Sequence, residues 1–231
     1  MSLLIDIVLV FLLALGGYHG WKAGLLKTLV KFVGIVAITI IALSLKDYLS
    51  AFLMKILPFF NFSGYQDLLS INIFIYNALS FVVIFILLYC LLNIILSITG
   101  FLNTLLKFTV IWILPSKILG AIVGVLEMYI FILALLFVLA QFPLSTNYVY
   151  TSNIAPAMLK YTPIVGTFIS QTSQSMMQIN EILKEDNKDK TTQELDLQIL
   201  TRALSSGIIS KDLLQELIDE EKLDFKNVSF G

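Results

Sequence analysis

The sequence predicts an all-α polytopic membrane protein: four transmembrane helices, interfacial amphipathic helices between them, and a C-terminal helical hairpin. Three features of the chain lead there. Four apolar runs with few charges, Leu3 to Gly17, Thr28 to Leu45, Ile73 to Ile98 and Ile118 to Phe142, dominate residues 1–142, and crossing the hydrocarbon core takes roughly 20 such residues. The chain is 58% hydrophobic and 13% charged, with a mean hydropathy of +0.91, whereas a soluble domain usually carries about 25% charged residues. Charge also shifts along the chain: residues 1–142 hold seven basic and four acidic side chains, and residues 143–231 hold eight basic and twelve acidic ones. This divides the protein into a four-helix transmembrane domain (1–142), an extracytoplasmic membrane-associated segment (143–180), and a charged linker with a helical hairpin tail (181–231).

The first run is short and reaches spanning length only if its helix continues through Gly20 or Gly24, with His19 and Lys22 at the interface. It lacks the basic start of a signal peptide, since Asp6 is its first charge, and is read as a retained helix. After the second run, Asp47 to Leu57 places Tyr48, Leu49, Phe52, Leu53, Ile56 and Leu57 on one helical face before Pro58 stops the pattern, which reads as an interfacial helix on the outer surface. The aromatic turn Phe59 to Tyr65 follows at headgroup level. Gly100 to Leu114 repeats the amphipathic device between the third and fourth runs.

Lysines near the helix ends set the orientation. Lys22, Lys27 and Lys31 mark the first connection, and Lys107 and Lys117 the third. In the second, Lys46 and Lys55 are balanced by Asp47 and Asp67. The positive-inside bias then places the first and third connections in the cytoplasm and both termini outside.

Gly16, Gly20 and Gly24 recur every four residues, as do Gly120 and Gly124. Missing side chains on one helical face permit close backbone approach, so these five glycines are read as helix-packing positions. The candidate intramembrane polar residues are Asp6, Asn93 and Glu127. Glu127 sits near mid-depth on the face of Gly120 and Gly124, where an unpaired charge costs a few kcal/mol. Either it lines a polar path for protons or small solutes, or it is protonated or bonded to Asn93 or His19. Asp6 either points into the bundle or reaches outer headgroups. Asn77 and Asn93 are positioned to bond across helices.

Enzymatic readings lack parts. His19 is the single histidine, which rules out zinc-protease spacing, and there is no Gly-x-Ser-x-Gly elbow or phosphate-cradling loop. We therefore expect no catalytic residue, no metal site and no cofactor. Without a basic aromatic stripe, no nucleic-acid partner is expected either. The lone cysteine, Cys90, allows no intramolecular disulfide.

In the tail, Thr191 and Glu194 match a capping box for a helix through Leu204. Gly207 stops that helix, and Ser210 caps a second one carrying Leu213, Leu214, Leu217 and Ile218. The apolar stripe is expected to pack on itself, and two short helices make so small a core that docking on the membrane domain or a partner follows naturally.

An Asp near the start of helix one, Gly16, Gly20 and Gly24 running into a basic turn, and "KILGAIVGVLEMYIFI" opening the last helix together resemble the colicin V production protein family. "TSNIAPAMLKYTP", with Ser152 and Pro156, resembles that family's outer Ser-x-x-x-Pro stretch. The resemblance covers approximately residues 1–170. It implies a bacterial cytoplasmic-membrane protein with a part in export or envelope maintenance. Relatives that carry a serine protease after the helices hold it outside the membrane, whereas this chain has only a short helical tail. Glu127 stands where many relatives have a small or uncharged residue. Two roles follow as expectations: a non-enzymatic scaffold or accessory factor, or a small oligomeric channel or transporter using an intramembrane carboxylate. The expected partners are the lipid bilayer and either another membrane protein or a second copy of the chain.

Overall fold

The computed structural model describes residues 2–59, 69–98, 113–141, 151–162, 174–179, 181–182 and 191–219. The helices are α1 (Ser2–Ala23), α2 (Leu25–Ile56), α3 (Leu69–Ile98), α4 (Ile113–Ala140), α5 (Ile154–Tyr161), α6 (Thr192–Ser205) and α7 (Lys211–Asp219). Residues 174–179 are helical too, and no strand occurs among the described residues. Helices α1 to α4 are each long and apolar enough to cross a membrane. Their outward faces fit that solvent: Leu3, Leu87 and Ile98 are 72%, 63% and 80% exposed, which lipid accommodates and water does not.

Helix α1 ends and α2 begins at one residue, Gly24, whose φ of 80° is strained for any side-chain-bearing residue. The chain reverses there without a loop. Helix α4 packs along both α1 and α2, while α3 lies against α2, so the spatial order is α1, α4, α2, α3. Between them sits an apolar core of Leu9, Ile35, Ile38, Phe81, Leu133 and Phe137 with their neighbours. Aromatic rings lock its centre: Phe81 meets Phe137 edge-on at 4.7 Å, and Phe131 meets Phe85 and Tyr89 at 5.6 and 5.4 Å. Such edge-to-face pairs contribute about 0.5–1.5 kcal/mol each beyond burial.

Helix α2 has 32 residues, about 48 Å at 1.5 Å rise per residue, against a hydrocarbon core of roughly 30 Å. The excess carries function in packing. The amphipathic stretch Asp47 to Leu57 is not a separate interfacial helix. No glycine or proline lies between Gly34 and Pro58, so the helix runs unbroken to Ile56 and meets the tail with its inner face. Ala51 and Met54 of α2, and Ile73, Phe74 and Tyr76 of α3, share a second core with Ile199, Leu200, Leu213, Leu214 and Leu217 of the tail. The hairpin thus docks on the membrane domain as well as on itself.

The hairpin's signals act locally as read. Thr191 and Glu194 form a complete capping box, Gly207 takes a φ of 69°, and the Ser210 hydroxyl accepts from Leu213 N at 3.2 Å. The second amphipathic device, most of Gly100 to Leu114, lies outside the described residues. So do most of the aromatic turn after Phe59 and the charged linker of residues 185–190.

Candidate functional site

The glycines of α1 and α4 bring two backbones into contact. A Cβ built at Gly16 would stand 2.5 Å from the Gly124 carbonyl oxygen, and one at Gly120 would stand 2.5 Å from that of Gly20. At Gly20 the added carbon would be 2.9 Å from Gly124 Cα. All of these are closer than real contacts permit. Gly24 ends the row as the hinge, and Ser116 at the start of α4 ties it there by accepting from Leu25 N at 3.2 Å.

Beside this seam, toward the Gly24 hinge, lies a cavity of about 600 Å³. Its basic wall is His19, Lys22, Lys27 and Lys31. Its deeper wall is Tyr89, Met128 and Phe131, and among the described residues Glu127 is its one carboxylate. Glu127 stands ten residues after Lys117, about 15 Å along α4, hence near mid-membrane. Lys31 and His19 are the charges that attract its carboxyl. Asn93 plays no part in holding it: its side-chain amide donates to the Tyr89 carbonyl of its own helix at 2.7 Å. Beyond Phe131 the cavity meets the ring cluster of Phe85 and Tyr89.

At the opposite end, Asp6 neither dangles toward headgroups nor enters the core. It caps α5, the short helix carrying Pro156. One carboxylate oxygen accepts from the Ser152 hydroxyl at 2.5 Å and from Asn153 N at 3.1 Å, and the other accepts from the Asn153 side chain at 3.1 Å. Ser152 in turn accepts from Ile154 N and Ala155 N. The Tyr129 hydroxyl, on α4, donates to the Met158 carbonyl at 3.0 Å. Two segments 146 positions apart in sequence are therefore one polar constellation.

Two residues that the sequence reading left aside hold the tail. Lys46 is 2% exposed, and its ammonium donates to Asp47 at 2.7 Å, to the Ile208 carbonyl at 3.0 Å and to Asn77 Oδ1 at 3.3 Å. Asn77 also donates to the Ile208 carbonyl at 3.2 Å. The balanced charge count of Lys46 against Asp47 hid this role. Asp196 reaches from α6 to cap α3, accepting from Leu69 N at 3.1 Å, Ser70 N at 3.0 Å and Ser70 Oγ at 2.6 Å. The first-turn amides of a helix lack intrahelical acceptors, and a carboxylate suits them electrostatically. The signal was present in α6: Asp196 interrupts the apolar face of Ile199, Leu200 and Ala203, which are buried.

Comparison with known proteins accords with this architecture. Residues 5–163 match the family described as colicin V production protein. An uncharacterised transmembrane protein of Bacillus subtilis, YshB, is 30% identical over 176 residues, which is 73% of this chain and 96% of YshB. No solved structure matches the chain.

Proposed function

Because the chain belongs to the colicin V production family, we propose that it is a non-enzymatic scaffold or accessory factor in export or envelope maintenance. We place it in the bacterial cytoplasmic membrane with both termini outside. The observation that carries this reading is the closed interior. The cavity at the hinge end stops at the Phe85, Tyr89 and Phe131 rings, and the apolar core fills the bundle beyond. A single subunit then serves better as a rigid platform than as a conduit. On the far side, α5, α6 and α7 are clamped to the helix ends, giving a broad surface on which a partner or second copy can assemble.

A small oligomeric channel or transporter is the second reading, favoured by one observation: Glu127 lies at mid-depth in a cavity that also holds Lys31 and His19. Complementation of a deletion strain separates the two. For a scaffold, Glu127→Gln complements fully, because the isostere keeps its hydrogen-bonding shape and loses only the titrating proton. Loss of the phenotype with expression and melting temperature unchanged would overturn the scaffold and leave the proton path.

A further inference from the structure

We propose that the cavity beside the Gly24 hinge is a binding site for one anionic phospholipid, its phosphate held by Lys22, Lys27 and Lys31 and an acyl chain lying along Tyr89, Met128 and Phe131. This stands apart from the choice between scaffold and channel.

Charge points to an anion. Among the described residues three lysines and one carboxylate, Glu127, line the cavity, so basic side chains stay in excess even with Glu127 ionised. Among the described residues no carboxylate lies within ion-pair distance of any of the three lysines. Lys22 instead rests over the Tyr18 ring at 4.5 Å. Such lysines at a membrane face attract acidic headgroups.

Depth and shape point to a lipid as the carrier of that anion. The lysines cluster where α1 gives way to α2, at the interface. The walls then turn apolar toward Phe131, which lies deeper along α4 than Glu127. A volume of about 600 Å³ far exceeds a bare phosphate and falls in the range of sites for larger ligands. A headgroup at the mouth with a chain running inward satisfies both halves at once, which a soluble anion does not. The seam supports the cavity, since Gly16, Gly20 and Gly124 form part of its wall and are fixed by backbone contact.

The full-length protein in mild detergent would be titrated with dioleoyl phosphatidylglycerol, dioleoyl phosphatidylcholine or inorganic phosphate, and bound lipid counted by native mass spectrometry. One phosphatidylglycerol should be retained per chain in preference to phosphatidylcholine, and inorganic phosphate should not displace it. Lys27→Gln with Lys31→Gln should weaken retention on the order of twentyfold, from about fivefold for each lysine. Lys117→Gln, a charge at the same membrane face but outside the cavity wall, should leave retention unchanged. Equal retention of the two lipids overturns the proposal without any variant. Displacement by inorganic phosphate assigns the site to a free anion, and an unchanged double variant places the lipid elsewhere. Each of these results refutes it.

Discussion

Replacing Asp196 with alanine should release the tail from the membrane domain. Its carboxylate accepts from Leu69 N, Ser70 N and Ser70 Oγ, and Ser70 is wholly buried. Leaving buried donors unpaired costs about 1–3 kcal/mol each. Leu69 is only partly buried, so water offsets some of its loss, and the sum is roughly 3 kcal/mol. That corresponds to on the order of a hundredfold rise in the undocked population. Hydrogen exchange with mass spectrometry would read it as faster exchange across 192–219 and at the first turn of α3, with α1 and α4 unaffected. The same residue sets a pH dependence. Burial holds the Asp196 carboxyl above its ordinary value of 3.8, against the lowering pull of the Ser70 and Leu69 hydrogen bonds. With the docked value raised, the docked state favours the proton. This group's contribution is therefore fully present below 3.8 and lost as pH rises through the raised docked value. Asp196→Asn should abolish that slope and weaken docking less than alanine, because it keeps one acceptor but turns an NH₂ toward a backbone donor. Tail exchange in Asp196→Ala within about 0.5 kcal/mol of wild type would refute the reasoning.

Gly20→Ala should lower thermal stability in detergent by about 1–3 kcal/mol through overpacking, whereas Val10→Leu, on the lipid-facing side of α1, should melt like wild type. Asp6→Ala should speed amide exchange at Asn153 to Ala155 and loosen α5, leaving the tail protected. For orientation, cysteines at Ser145 or Ser205 in a Cys90→Ser background should react with a membrane-impermeant maleimide in intact cells, and one at Thr104 should not. Labelling of the tail sites only after lysis would invert the topology.

The sequence by itself determined the membrane class, the four spans and the local punctuation of the hairpin. These follow from chain-local physics: apolar length against bilayer thickness, a capping box read over four residues, and a glycine at a left-handed stop. Glycine spacing also pointed to the face that α1 and α4 share, because helical periodicity is written in the sequence. What lay beyond it was partnership between distant segments. Nothing near Asp6 names Ser152, nothing near Ser70 names Asp196, and Lys46 looked neutralised by Asp47 until the Ile208 carbonyl arrived from the tail. A buried polar group is satisfied by whatever the fold brings within about 3 Å. Only the packing of α5, α6 and α7 onto the protruding ends of α1, α2 and α3 decided which groups those were. It also decided that Asp47 to Ile56 continues α2: Ala51 and Met54 are buried in the core shared with the docked tail, while Tyr48, Phe52 and Ile56 of the apolar face stay exposed.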